Sequence, residues 1–137
     1  MLGRTVLALS VVVLLAWSGA APALAKDCPK QDFTHEARED AVRKAPSCRE
    51  ALDVMEACAY GATGDVSLGQ IVREKCEASF LAKLSKSQRQ TYDRGIKSCD
   101  DKYKNESGTM YRSFSAFCRA TLAHDTAAKF AKAPPRK

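Results

Sequence analysis

The 137-residue sequence has only two histidines, one tryptophan, seven glycines and five prolines. Its aromatic content is 7%. No Cys-x-x-Cys pair occurs, and His35 and His124 lie far along the chain from any cysteine, so the ligand spacing of a structural metal site is missing. Without a Gly-x-Ser-x-Gly elbow, and with no Gly-Lys-Ser/Thr ending to the glycine-rich stretch Gly61-Ala62-Thr63-Gly64-Asp65, neither a hydrolase nucleophile nor a phosphate-binding loop is expected. No alternating Val/Ile/Thr-rich run suggests strands. No basic stripe interleaved with aromatics suggests nucleic-acid binding. After residue 25 there is no apolar run long enough to cross a bilayer.

The one long apolar run is at the start. Arg4 gives a positive end, Val6 to Trp17 is apolar apart from Ser10, and Gly19 to Pro22 breaks the run before the small-x-small triplet Ala23-Leu24-Ala25. This is the pattern of a secretory signal peptide, residues 1–25, cleaved near Ala25. A secreted or periplasmic location follows as the expectation.

What remains contains all six cysteines: Cys28, Cys48, Cys58, Cys76, Cys99 and Cys118. An even number of cysteines in a small exported chain predicts three disulfides, because such a domain keeps much of its surface in water and its core alone supplies limited stability. No cofactor and no metal are expected. The mature chain carries 21 Lys plus Arg against 16 Asp plus Glu. Four of those cations (Lys129, Lys132, Arg136, Lys137) fall in the last nine residues, so residues 26–128 are nearly neutral. We therefore divide the mature chain into a domain over 26–128 and a basic tail over 129–137, with Pro134-Pro135 barring a continuing helix.

Apolar residues recur at helical spacing from Thr34 onward. A first helix is expected over about 34–45, capped by Thr34 and ended by Pro46. Ser47 to Glu50 reads as a capping box opening a second helix, whose stripe is Cys48, Ala51, Leu52, Met55, Cys58, Ala59 and Ala62. A third, starting after Asp65 or Ser67 with a box at Ser67 to Gln70, carries Leu68, Ile71, Val72, Cys76, Phe80 and Leu84. Gly69 weakens its first turn. Ser85 to Gln88 opens a fourth, with Tyr92, Ile96, Cys99 and Tyr103 on one face. A last helix, reaching as far as Lys132, places Met110, Phe114, Phe117, Cys118, Thr121 and Leu122 on its inner side. The fold class is all-α, a small disulfide-stapled bundle of four to five helices.

In an antiparallel helical hairpin, residues equidistant from the turn lie level. The midpoint of Cys99 and Cys118 falls beside Gly108, and that of Cys48 and Cys76 at residue 62, inside the Gly61 to Gly64 turn. That leaves Cys28 with Cys58, whose midpoint is residue 43, just before Pro46. These three pairs, out of fifteen possible, are the expected connectivity.

With the thiols consumed, no catalytic constellation is left, and the chain reads as a non-enzyme. His35 and His124 read as solvated helical residues. Asp100 and Asp101, adjacent on a helix, point about 100° apart and do not converge on one ion. Asn105-Glu106-Ser107 matches a glycosylation sequon. The aromatic set Tyr103, Tyr111, Phe114 and Phe117 gathers around the last hairpin as core packing, with the two tyrosines available to a partner.

The segments "LSKSQRQTYDRGIKSC", "SGT" and "AFCRATLA", with "MEACAYGATGDVSL" upstream, resemble the secreted lysozyme-inhibitor family of the LprI type over about residues 55–125. The matching positions are Cys58, Asp65, Leu68, Gln88, Arg89, Cys99, Gly108, Cys118 and Leu122. Thr91, Gly95 and Gly69 stand where the family prefers Trp, Arg and Asn. The resemblance implies a small helical fold and inhibition of a cell-wall hydrolase such as lysozyme. A body this close to neutral gains no long-range attraction toward a basic hydrolase. Inhibition would then rest on a short-range contact, a loop offering a cation to the paired carboxylates of the hydrolase cleft. The loop from Lys102 to Thr109 is the candidate, with Lys102, Lys104, Asn105, Ser107, Gly108 and Thr109 as contact residues. The competing expectation is an envelope-associated structural or stress protein whose basic tail makes weak contact with anionic surface polymers.

Overall fold

The structure, a computed structural model, describes residues 27–29 and 34–133. The expected signal peptide, residues 1–25, lies outside the described residues, as do residues 134–137. Five α-helices follow one another: α1 His35–Lys44, α2 Cys48–Cys58, α3 Asp65–Glu77, α4 Lys86–Asp101 and α5 Thr109–Lys132, with a 3-10 turn at Leu81–Lys83 before α4. Among the described residues there is no strand, and the fold is an all-helical disulfide-stapled bundle.

Local chemistry sets the helix starts. The Thr34 hydroxyl accepts from the Ala37 amide at 3.2 Å and caps α1. At α4 the capping box is complete, since Ser85 Oγ accepts from the Gln88 amide and the Gln88 side chain accepts from the Ser85 amide at 2.9 Å. Only half of the box forms at α2. Ser47 Oγ accepts from the Glu50 amide at 3.1 Å, but the Glu50 carboxylate takes its bond from the Ser47 hydroxyl at 2.7 Å and leaves the Ser47 amide alone. The box expected at Ser67 to Gln70 does not form. Helix α3 begins earlier, at Asp65, and Ser67 lies inside it with its hydroxyl turned back to the Gly64 carbonyl at 3.1 Å. It also ends earlier than its apolar spacing suggests: Phe80 sits beyond the helix in the turn, yet is fully buried.

The body of the molecule is α3 against α5, the most extensive helix interface, with α1 and α2 closing over α3. The two central helices run parallel, since Asp65 meets Ser113, Gly69 meets Ala116 and Phe80 meets Phe130 in ascending order. They approach closely. A Cβ on Gly69 would stand 2.9 Å from the Ala116 carbonyl oxygen, so glycine is there to admit the neighbouring backbone, at the cost of helix propensity.

That approach decides which face of α5 is inside. Ser113, Ala116, Ala120 and Ala123 are buried, while Met110 and Phe114 are 46% and 41% exposed. The expected inner face, with Met110 and Phe114 on it, is corrected here: a narrow interface takes small side chains and displaces large ones to its flanks. The core proper is Val42, Leu52, Met55, Leu68, Ile71, Val72, Phe80 and the α5 alanines.

All six cysteines are paired. Cys28 is joined to Cys58 and Cys48 to Cys76, each with Cα atoms 4.8 Å apart, and Cys99 to Cys118 at 5.6 Å. These are the three expected pairs, two from their midpoints at a turn and Cys28–Cys58 by elimination. The α5 helix continues past residue 128, through Lys129 to Lys132, so the tail boundary expected at 129 falls inside a helix. The reason is Phe130, whose ring lies 6.5 Å from that of Phe80 and anchors the last turn.

Candidate functional site

The hairpin of α4 and α5 turns over at 102–108. Gly108 has φ of +119°, a backbone conformation open to glycine and disfavoured for residues bearing a Cβ, and it launches α5 without a side-chain cap. Below the turn the Cys99–Cys118 bridge ties the helices together. The Asp100 carboxylate accepts from Ser115 Oγ at 2.9 Å and pairs with Arg119. The neighbouring Asp101 turns the other way, to Lys97 at 2.5 Å, and that bond holds its carboxyl below the usual range. The two carboxylates thus diverge, as adjacent helical positions should.

Above this brace three rings gather. Tyr103 lies 6.1 Å from Tyr111 and 5.8 Å from Phe114, and Tyr111 meets Phe114 edge to face at 6.1 Å. The Lys102 ammonium is 5.2 Å from the centre of the Tyr103 ring, within cation–π range. The expected contact residues Lys102, Lys104, Asn105, Ser107, Gly108 and Thr109 are all exposed. Three of them, Lys104, Ser107 and Gly108, border a cleft of about 420 Å³ shared with Tyr103, Tyr111 and Arg112.

Sequence reasoning missed the other half of this surface. Met110 and Phe114, assigned to the core, are outside, and so is Tyr60 at 59% exposure. Tyr60 belongs to the α2–α3 connection, brought to the same end by one buried side chain. Asp65, with no exposed surface, accepts from the amides of Tyr60 and Ala62, each at 3.0 Å, and from Ser113 Oγ at 2.7 Å. Arg38 supports the connection from α1. Its guanidinium donates to the Cys58 carbonyl at 3.2 Å and lies 4.3 Å from the centre of the Tyr60 ring. The signal for this arrangement was in the sequence, as small residues at 113, 116, 120 and 123 recurring at steps of three and four.

His35 is more engaged than a solvated histidine. Its Nε2 lies 3.0 Å from Ser67 Oγ and 3.1 Å from the Glu39 carboxylate. A relay would need the acid on one ring nitrogen and the hydroxyl on the other. Here both address the same nitrogen, and the cluster ties α1 to α3. Glu39 is held below the usual carboxyl range chiefly by the Ser67 hydroxyl, then by His35 and Arg43, against partial burial.

Compared with known proteins, the chain matches no family model, and no curated protein or solved structure is detectably similar to it.

Proposed function

We propose that this protein is an exported binding module that presents the aromatic and cationic end of its α4–α5 hairpin to a protein partner, and that the partner is a cell-wall hydrolase of the lysozyme kind, which it inhibits. The observation that carries the reading is the exposure of Met110 and Phe114 beside the Tyr103–Tyr111 pair, on a hairpin braced by a disulfide. Large apolar side chains held rigidly outside a small domain favour an interface, where aromatic, Met and Arg side chains are enriched. Lys102, Lys104 and Arg112 supply cations around that patch, the charge a carboxylate-lined cleft would accept. Three disulfides suit the oxidising compartment in which such a hydrolase works.

The test is a muramidase assay with the oxidised mature chain and with the variants Met110→Ala and Phe114→Ala. Inhibition by the wild type that falls at least tenfold in either variant supports the reading. Full hydrolase activity at a large excess of the oxidised protein removes it.

A further inference from the structure

At the other end of the α4–α5 hairpin lies a second opening. Helix α4 is the least embedded of the five, with Tyr92 and Cys99 as its buried residues. Near its middle it is drawn close to α5, for a Cβ on Gly95 would stand 2.8 Å from the Leu122 side chain. Between there and the start of α4 the two helices flank an open groove of about 490 Å³, within the size range of small-ligand sites.

Its walls are apolar and firmly set. Leu84, Tyr92, Leu122 and Phe130 line it, and the buried Phe80 ring fixes two of these, meeting Tyr92 edge to face at 5.2 Å and Phe130 at 6.5 Å. Three of the hydroxyls along it already have partners in the protein. Thr91 Oγ1 donates to the Ser87 carbonyl at 3.0 Å, and Thr126 Oγ1 to the Leu122 carbonyl at 2.7 Å. The Tyr92 hydroxyl donates to Glu77 at 2.8 Å. The methyl groups and rings are what remain for a ligand.

One full charge borders the groove, and it is positive. Lys129 is exposed there, with no acidic partner among the described residues. The first turn of α4 borders the same groove through Ser87 and Gln88, and a helix start adds a partial positive charge. An open apolar groove with a cationic rim matches one chemical class.

We infer that the α4–α5 groove binds a single-chain anionic amphiphile, such as a fatty-acid carboxylate, with the chain along Leu84, Tyr92, Leu122 and Phe130 and the carboxylate at Lys129. The inference is independent of hydrolase inhibition, which rests on the opposite end of the hairpin.

Titration calorimetry of the oxidised mature chain with dodecanoate, below its micelle concentration, tests it, with dodecyltrimethylammonium as the cationic control. Saturable binding of one dodecanoate per chain is expected, at least tenfold tighter than the cation. Lys129→Glu, a surface change, should weaken dodecanoate at least tenfold and bring the two amphiphiles together. Thr91→Trp, which fills the groove from an exposed position, should abolish binding while circular dichroism shows the helices intact. Absence of saturable binding, equal affinity for both amphiphiles in the wild type, or undiminished binding in folded Thr91→Trp would each overturn it.

Discussion

Ser113 donates a 2.7 Å hydrogen bond to Asp65 from the opposite side of the α3–α5 interface, and both residues are buried, at 1% and 0% exposure. The same carboxylate holds the Tyr60 and Ala62 amides, so one side chain fixes the relation between the α2–α3 connection and the start of α5. A buried carboxylate is tolerable only when it is hydrogen-bonded, and three donors meet that condition.

Removing either partner should therefore cost unequal amounts. Asp65→Ala leaves the buried Ser113 hydroxyl and the part-buried Tyr60 and Ala62 amides without an acceptor and is expected to destabilise the fold by about 3 to 5 kcal/mol, whereas Ser113→Ala removes one charge-assisted bond and should cost about 1.5 to 3 kcal/mol. Urea denaturation checks both. A double variant no worse than Asp65→Ala alone would show that the serine acts through the aspartate.

Two helical glycines make a second contrast. At Gly69 an added methyl meets the Ala116 carbonyl oxygen at 2.9 Å and the Ala116 Cβ at 3.0 Å, atoms that cannot turn aside. Gly69→Ala should destabilise by about 1 to 3 kcal/mol through overpacking, even though alanine is the better helix former. At Gly95 the obstacle is the far end of the Leu122 side chain, which can rotate, and the propensity gain of about 1 kcal/mol offsets the shift. Gly95→Ala is expected to be within about 0.5 kcal/mol of the wild type on the same denaturation curves.

These glycines also mark what the sequence could and could not convey. Helix positions were legible because Thr34, Ser47 and Ser85 cap locally, and two of the bridges were legible because short connections make antiparallel hairpins whose level residues can be counted, the third then following by elimination. The face of α5 was not. Hydrophobicity placed Met110 and Phe114 inside, but the choice of inner face belongs to the partner helix, and a glycine at 69 opposite an alanine at 116 is a tertiary fact. The exposed half of the candidate binding surface was lost with it. The expected loop residues Lys102 to Thr109 were recognisable from their turn chemistry alone, which locates a loop without saying what stands beside it.

The Cys99–Cys118 bridge closes 19 residues and is the main restraint on a helix with little else buried. Replacing both cysteines by serine should cost about 3 kcal/mol, and hydrogen exchange should rise selectively in α4 while the α3–α5 amides stay protected. Reducing all three bridges removes a sum comparable to the whole stability of a domain this size and should unfold it. Loss of helical circular dichroism on reduction, restored by reoxidation, is the expected readout.

The Glu39 cluster yields a pH signature whose sign follows from the direction of its shift. Its carboxyl is held below the usual range by the Ser67 hydroxyl first, then by His35 and Arg43. A carboxyl depressed in the folded state stabilises fully above its unfolded value of about 4.3 and loses that contribution as pH falls through the lower folded value. Glu39→Gln should thus melt below the wild type at about pH 6, with the gap narrowing only under about pH 4. Asp101 serves as the control, since Lys97 lowers its carboxyl in the same direction but the side chain is exposed. Its pair with the charged Lys97 should fade in about 1 M salt, while part of the Glu39 gap persists because its largest cause is the neutral Ser67 hydroxyl of α3, which salt screens less than a net charge. Equal salt sensitivity of the two gaps would mean that the Ser67 contact is not what holds Glu39 ionised.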